Sequence, residues 1–368
     1  MTKLLVVFII ALLLAYSSEK YTRQIHAAGR HYEPRRDTAL IMLMVVLSLF
    51  AGLRTAYNDT ENYIAGFRNM PTLGEFLADP ENLNPVTNPL FYAYLSFLRT
   101  VWDDPQVMIF TTSVFTQVCF VLFFKRYSES FTFTIFLYFT LGTFCVSMAA
   151  MKQVVAMAVA TLAIPCLEKR QWVRYYLLIF IAMLVHTYAM AFAVLPFFTQ
   201  RPWKQFTFLV VLSLVLVMTN FREVIGQFMD QANELGKVLE EYEVFDNHSV
   251  NLFRLAVYAV PPLLSLIFKR WIFDDSTKMD NMLVHMSIIS LAFMSLGTQS
   301  GANMFGRMAN YFELGTVVCL PWMLKQTFSR GSSRIIMAIA AVCFFGFFVY
   351  QNAINSSFDQ AYRMFSLR

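Results

Sequence analysis

Long blocks of apolar residues recur along the whole 368-residue chain. Many of them approach the roughly 20 residues that an α-helix needs to cross the hydrocarbon core of a bilayer. Charged residues make up 14% of the chain, against about 25% in a soluble globular domain, so too few charges are available to coat a soluble body of this size. The sequence predicts an all-α, polytopic transmembrane helical bundle and excludes the soluble, fibrous and disordered classes.

Twelve of these blocks are candidate spans, and we expect about 11–13 membrane helices in a single integral membrane domain over residues 1–368. The first block resembles a signal peptide, but no cleavage site follows cleanly, so we interpret it as the first membrane helix. The region 175–198 has basic residues at both ends, which favours two short helices meeting near His186 over a single span. The blocks are 4–16, 38–53, 107–124, 131–149, 151–167, 175–186, 187–198, 206–220, 252–268, 282–298, 311–324 and 335–350.

The Lys and Arg residues of the connections predict the orientation, because they accumulate in cytoplasmic loops. Alternating the spans from an outside N-terminus places 18 of the 29 Lys and Arg residues, but only 8 of the 24 Asp and Glu residues, in six cytoplasmic connections. The outer side then carries two long loops, 54–106 and 221–251, and the first includes an interfacial or re-entrant helix near 89–102. The six cytoplasmic connections are 17–37, 125–130, 168–174, 199–205, 269–281 and 325–334.

The five cysteines all lie inside apolar blocks, and no two form a Cys-x-x-Cys pair or a Cys/His cluster. We interpret them as small apolar side chains, not as a disulfide framework or a structural zinc site. The net charge of +5 is no signature of nucleic-acid binding, and we expect no nucleic-acid partner. Adjacent carboxylates occur without further ligands, so we expect no metal and no cofactor.

Basic side chains from four separated stretches fall at the outer boundary of this arrangement, where the positive-inside rule disfavours them. Arg54 ends the second span, and Lys152 begins a later one. His186 lies at the tip of the outward hairpin, and Arg307 lies in the short outer loop 299–310. A charge near the centre of a span costs about 2.5–3.5 kcal/mol on insertion scales, so charges at or inside helices ask for an explanation.

Each of these residues also has a simpler interpretation. Arg54 and Arg307 could be snorkelling anchors that reach the lipid headgroups. His186 could form a hydrogen bond between helices, and Lys152 taken alone is ambiguous. Asp59 could cap the helix that follows it.

Three permanent cations, a carboxylate and an imidazole at one interfacial level suit an anionic, lipid-linked substrate. Arg54 and Arg307 would bind pyrophosphate through paired N–H donors, and Lys152 would bind it as a point charge. Such cations meet the negative charge that develops on a leaving pyrophosphate in the transition state. Either Asp59 or His186 could take the proton from an attacking hydroxyl.

At these residues the chain resembles the EpsG family of membrane polysaccharide-biosynthesis proteins, which are polymerases of the Wzy type. The family usually shows Arg-Gln where this chain has Lys152-Gln153, so the charge is kept while the paired donors of Arg are lost. The likeness follows the order of the chain through Phe50-Ala51-Gly52-Leu53-Arg54, Asn58-Asp59-Thr60, Tyr63, Phe67, Ser147-Met148, Met151-Lys152-Gln153, Ala156, Lys169-Arg170, Tyr175-Tyr176, Leu184, His186, Leu195-Pro196, Arg307 and Tyr311-Phe312.

The resemblance implies a GT-C-like glycosyltransferase in the bacterial cytoplasmic (inner) membrane, with its active site facing the periplasm or exterior. It would join undecaprenyl-pyrophosphate-linked oligosaccharide repeats, as donor and acceptor, into an exopolysaccharide, capsule or O-antigen. The reaction would be metal-independent. Partners would be membrane lipid, a flippase and a chain-length regulator. Asn58, Tyr63, Gln153 and Tyr311 are expected to contact the substrate.

Other functions fit parts of the same pattern. A glycan ligase would attach finished polymer to another molecule, and a transporter or flippase would use intramembrane cations as an anion pathway. Against the transporter, the charges collect at one face, whereas a translocation path needs polar groups through the midplane. An acyltransferase is weaker, because His186 lacks a local acidic partner. A nucleotide-sugar enzyme would need a nucleotide-binding domain, and the chain has no Rossmann-like glycine fingerprint.

Overall fold

The computed structural model describes residues 2–29, 31–220, 249–299 and 302–354. Regular structure within these residues is helical, without strands, which confirms the predicted all-α class. The contacts divide the chain into two compact units: Met1–Ala193 with Arg334–Arg368 (unit 1), and Val194–Ser333 (unit 2). The predicted outer loop 221–251 lies outside the described residues except for its last three positions.

Unit 1 contains most of the helices. It begins with α1 (Thr2–Ala27) and α2 (Thr38–Gly52), and a 3-10 segment, Thr187–Phe198, follows α10. The helices between them are α3 (Thr60–Arg68), α4 (Leu73–Ala78), α5 (Pro89–Val101), α6 (Pro105–Tyr127), α7 (Phe131–Thr140), α8 (Thr143–Ala149), α9 (Met151–Glu168) and α10 (Trp172–Val185).

Unit 2 contains α11 (Gln205–Thr219), α12 (Leu252–Ile267), α13 (Lys269–Ile272), α14 (Lys278–Leu296) and α15 (Ala302–Thr327). The chain then returns to unit 1 through α16 (Arg330–Val349), which ends in a π-helical turn.

Among the described residues, five helical stretches are long and apolar enough to cross a membrane: α1, α6, α9, α14 and Gly331–Asn352, which covers most of α16. Helices α7 and α8 pass the same test together, but they are bent by 56°. The bend lies at Gly142, whose φ of +93° is readily adopted only by glycine. Further apolar helices of 10–17 residues, α2, α10 and α12 among them, are shorter than a full crossing takes. The described chain fits a multi-pass membrane protein, and the expected 11–13 crossings stay a prediction.

Polar side chains inside unit 1 bond to one another across helices. Gln117 of α6 donates to the Ser147 hydroxyl of α8 at 2.8 Å and accepts from the Tyr138 hydroxyl of α7 at 2.9 Å. All three residues are buried. Such bonds hold membrane helices together, because a polar group left unpaired in apolar surroundings is costly.

Three connections of unit 1 that the charge pattern assigns to the cytoplasmic side, 17–37, 125–130 and 168–174, meet at one end of the unit. We call this end the basic end. The buried Asp37 accepts hydrogen bonds from Ser18 at 2.7 Å and from Tyr32 at 2.8 Å, and Lys125 lies 3.6 Å from it. Arg126 forms an ion pair with Glu168 at 2.8 Å. Segments 17–37, 125–130 and 168–174 therefore share one end, as the sequence predicts.

Unit 2 shows the same grouping for its own three connections. Arg201 donates to the Asp274 carbonyl at 2.7 Å, and Asn281 donates to the Thr199 carbonyl at 3.4 Å. The rings of Phe268 and Phe328 pack with centroids 5.4 Å apart. Segments 199–205, 269–281 and 325–334 thus come together, so the alternation of spans is consistent within each unit.

The fold-back predicted at His186 is present. Helix α10 ends at Val185, His186 is extended (φ −154°, ψ 117°), and a 3-10 segment runs back from Thr187. The Tyr175 hydroxyl, near the start of α10, donates to the Phe192 carbonyl. Two positions 17 residues apart reach each other only if the chain reverses between them, which excludes a single straight span.

The region 54–106, which the sequence analysis predicts as a loop, is mostly helical. It contains α3, α4 and α5, and α5 matches the helix predicted at 89–102 within one residue. Its interfacial or re-entrant placement stays a prediction. The short outer loop expected at 299–310 is different, because α15 already begins at Ala302. Arg307 therefore lies on a helix and not in a loop.

Helices α14 and α15 lie in close contact at Gly315. A Cβ atom at this position would lie 2.4 Å from the Met286 Cβ and 2.7 Å from the Leu283 carbonyl oxygen. Real Cβ contacts essentially never come so close, so a larger residue must push the helices apart.

We expect Gly315→Ala to destabilise the protein by about 1–3 kcal/mol through overpacking. Gly306→Ala on the same helix is the matched control, because a Cβ there meets nothing within 4 Å. Alanine favours helix over glycine by about 1 kcal/mol, so the control should match or exceed the wild-type melting temperature. Thermal unfolding in detergent measures both, and equal behaviour of the two variants would contradict the close approach.

Candidate functional site

Arg54 lies just beyond α2, and its side chain is buried in unit 1. Only 1% of the residue is exposed. The guanidinium donates to the Thr60 hydroxyl at 3.1 Å, to the Ser113 hydroxyl at 3.0 Å and to the Ala51 carbonyl. The simpler interpretation of Arg54 as a snorkelling anchor does not hold, because its side chain is buried and ties α2, α3 and α6 together. Its role as a pyrophosphate ligand stays a prediction.

The end of α2 is fixed from the side of α6. The Gln106 amide donates to the Gly52 carbonyl at 2.7 Å. A Cβ at Gly52 would lie 2.8 Å from a ring carbon of Phe110, so only glycine lets the two helices meet here. This close contact places the residue two positions further, Arg54, against Ser113 of α6.

A short turn links Arg54 to α3. Tyr57 and Asn58 have positive φ values, +151° and +46°. Burial raises the pKa of the Tyr57 hydroxyl well above its usual range, Cys145 adds to this, and the charge of Arg54 opposes it. Asn58 is exposed and Asp59 is half-buried. Asp59 occupies the cap position of α3, but its side chain forms no capping hydrogen bond, so the simple capping interpretation does not hold.

Lys152 contacts two tyrosines from different helices. Its backbone N–H donates to the Tyr63 hydroxyl of α3 at 3.2 Å. Its ammonium group lies 3.4 Å from the Tyr92 hydroxyl of α5 and 5.3 Å from the centroid of that ring. The rings of Tyr63 and Phe91 meet edge to face at 6.2 Å. Helices α3, α5 and α9 thus converge at Lys152.

The position of Lys152 is electrostatically unfavourable for the helix that carries it. Helix α9 starts with Ala150 as its cap residue, without a side-chain capping bond and without an acidic residue in its first turn. A helix N-terminus carries partial positive charge and prefers an anion, so a lysine there opposes the helix dipole. The half-buried ammonium of Lys152 in the first turn of this helix is therefore an arrangement that an anion would stabilise.

Asn88 connects the residues around Lys152 to His186. It adopts a left-handed conformation (φ +60°) directly before Pro89, which begins α5. Its side-chain oxygen accepts from the Thr187 N–H at 2.9 Å and from the Thr187 hydroxyl at 3.2 Å. The neighbouring His186 is 8% exposed, and its ring packs edge to face on Tyr188 at 4.9 Å. The start of α5 therefore links Lys152 to the His186 turn.

Gln153 is turned away from the surface. It is 2% exposed, and its amide nitrogen lies 3.8 Å from the Met157 sulfur. It follows Lys152 directly but does not share its half-exposed position. Its expected contact with substrate stays a prediction.

Arg307 and Tyr311 belong to unit 2. They lie four residues apart on α15, so they share one face of that helix. Arg307 is half-buried, and Tyr311 is fully buried. Within unit 1, Tyr63 contacts Lys152 directly, and Arg54 bonds to Thr60, the residue after Asp59. That these residues and His186 form one site stays a prediction. The convergence of Arg307 with them stays a prediction.

Sequence reasoning missed two groups of polar residues. In the sequence, Asn88 and Tyr92 of unit 1 stand out only as a polar and an aromatic residue in the region 54–106. Arg254 and Glu313 in unit 2 had a clearer one, because each is a charge inside a predicted span. Glu313 is 1% exposed and interacts electrostatically with Arg254, whose guanidinium carbon lies 5.7 Å from the centroid of the Tyr258 ring.

A metal site is not apparent in the part of the chain that the structure describes. Within it, no three His, Cys, Asp or Glu side chains are grouped so that they could hold a metal ion. Metal-independent chemistry stays a prediction.

Comparison with known proteins gives one match that covers nearly the whole chain. The model of the EpsG family matches residues 38–365. This range includes every residue predicted for the site. No curated protein and no solved structure matches the chain.

We expect Asn88→Gly to expose the Thr187 amide, because glycine keeps the left-handed backbone and removes the acceptor. Loss of such a hydrogen bond corresponds to about tenfold faster amide exchange. Asn88→Asp is the control, since it retains an acceptor oxygen and tolerates the same backbone. Hydrogen–deuterium exchange of a peptide containing Thr187 measures this, and unchanged protection in the glycine variant would disprove the link.

Proposed function

Because the chain belongs to the EpsG family, a family of membrane proteins of polysaccharide biosynthesis, we propose that it is a polysaccharide polymerase. In this proposal it joins undecaprenyl-pyrophosphate-linked oligosaccharide repeats at the periplasmic or outer face of the bacterial cytoplasmic membrane. The growing chain leaves its lipid carrier and is transferred to a second lipid-linked repeat.

The surroundings of Lys152 are the observation that carries this proposal. Lys152 lies in the first turn of α9, and that turn has no acidic residue to balance the cation or the helix dipole. A pyrophosphate supplies the missing negative charge. Tyr63 and Tyr92 flank the ammonium, with hydroxyl groups suited to sugar or phosphate oxygens and rings suited to sugar faces.

The reaction in this proposal is a displacement at the anomeric carbon of the donor. A hydroxyl of the acceptor sugar forms the new glycosidic bond, while the bond from the anomeric carbon to the pyrophosphate oxygen breaks. Lys152, with Arg307 as a second cation, stabilises the charge that collects on the departing pyrophosphate. The hydroxyl proton goes to Asp59 or His186. Arg54 contributes mainly by positioning, since its donors are engaged inside unit 1.

We expect Lys152→Met to reduce polymer at least about 100-fold, the scale of losing one preorganised charge in a transition state. Single lipid-linked repeats should accumulate at the outer face. Lys169→Met is the matched control, because Lys169 follows the opposite end of the same helix. Electrophoresis of cellular polysaccharide and mass analysis of lipid-linked glycans give the readout.

The same measurement separates the alternatives. Long unattached chains in the Lys152 variant would indicate a ligase, and repeats trapped on the cytoplasmic leaflet would indicate a flippase. Normal polymer in Lys152→Met, with both variants folded, would contradict the proposed site.

The base can be identified with purified protein and purified lipid-linked repeats. If Asp59 is the base, Asp59→Asn should lower the rate of polymerisation about 100-fold or more, whereas His186→Gln should leave the pH dependence in place. If His186 is the base, His186→Gln should lower the rate of polymerisation about 100-fold or more, whereas Asp59→Asn should leave the pH dependence in place. The assay is run with and without chelator, and loss of activity with chelator would refute metal-independent chemistry.

A further inference from the structure

A cavity of about 530 Å³ opens at the basic end of unit 1, apart from the site around Lys152. It lies between the C-terminal ends of α1, α6 and α9, and His26, Arg126 and Leu162 are among its lining residues. This volume falls within the roughly 300–1,000 Å³ of typical ligand pockets. The proposed function uses none of these residues.

The polar part of the cavity favours an anion. His26, Lys125 and Arg126 line it, and none of its lining residues, all of which the structure describes, is acidic. Lys125 is engaged with Ser18 and Asp37, and the carboxylate of Asp37 offsets its charge, so Arg126 is the main group for an anion. Arg126 is different, because 46% of its side chain is exposed.

Arg126 keeps donors for a ligand. Its Nη2 bonds to Glu168 at 2.8 Å, and that is its one ion pair within the described residues. The guanidinium has five N–H groups in a fork that matches phosphate oxygens. Glu168 is not part of the cavity lining, and its carboxylate accepts from the Arg126 guanidinium.

Most of the remaining wall is apolar, and it reaches the surface. Cys119, Leu122, Leu162 and Pro165 line it one to two helical turns away from the charged rim. Leu122 and Leu162 are 38% and 43% exposed, on the flanks of two helices long enough to span a membrane. The cavity therefore joins a cationic rim to an apolar groove that opens on the exposed flanks of these two helices.

We infer that this cavity binds an anionic glycerophospholipid, with the phosphate at Arg126 and part of one acyl chain along Leu122 and Leu162. Basic pockets between membrane helices commonly take such headgroups. The charge of the rim selects against a zwitterionic lipid, and the apolar groove selects against free phosphate. The assignment is independent of the proposed function.

Native mass spectrometry of the delipidated full-length protein, titrated with phosphatidylglycerol, tests the inference. The wild type should retain one tightly bound phosphatidylglycerol and no phosphatidylcholine. Arg126→Gln should weaken this binding about tenfold, as expected for one charge-assisted contact. Leu162→Trp should abolish it by filling the groove. Lys169→Gln, an exposed cation at the same end that does not line the cavity, should bind as the wild type does.

Melting temperatures of all variants are compared first, and Arg126→Gln is the decisive variant if Leu162→Trp fails to fold. Equal retention of phosphatidylcholine, unchanged binding by Arg126→Gln or an equal loss in Lys169→Gln would each overturn the inference. Displacement of phosphatidylglycerol by an equal concentration of undecaprenyl phosphate would overturn it in favour of a polyprenyl carrier. Displacement of phosphatidylglycerol by inorganic phosphate would overturn the inference too, because the cavity would then be a simple anion site.

Discussion

The buried carboxylate of Asp37 holds the basic end of unit 1 together. It caps α2 through the Leu40 amide and also accepts from Ser18 and Tyr32, while Lys125 balances its charge. A carboxylate in apolar surroundings is tolerated only when such partners are present. The need to satisfy one group therefore fixes the ends of α1, α2 and α6 relative to one another.

The opposite end of unit 1 uses its polar groups differently. Arg54 is satisfied by the protein itself, so its cost of burial is offset by structural bonds. Lys152 has aromatic hydroxyls as neighbours and opposes the dipole of its helix. The two cations, which the sequence analysis treats alike, thus have different surroundings: Arg54 bonds to polar groups of three helices, and Lys152 lies beside tyrosines at a helix N-terminus.

Much of this arrangement follows from the sequence. Apolar blocks and the Lys and Arg bias predict the helical class, the grouping of the connections and the reversal at His186, because insertion energies depend on composition and length. The burial of Arg54 is not predictable, since it requires a partner, Ser113, 59 positions away. Hydropathy alone does not predict the early start of α15, because its first turns contain the polar residues Asn303, Arg307 and Asn310. Such residues are also typical of a loop.

Asn88 carries a further consequence for the history of this chain. Its left-handed backbone, the proline that follows and its two bonds to Thr187 all act on one position. Few amino acids satisfy the conformation, and fewer still provide the acceptor. Substitutions at this position during evolution should accordingly be confined to asparagine and aspartate, which keep both the backbone conformation and the acceptor.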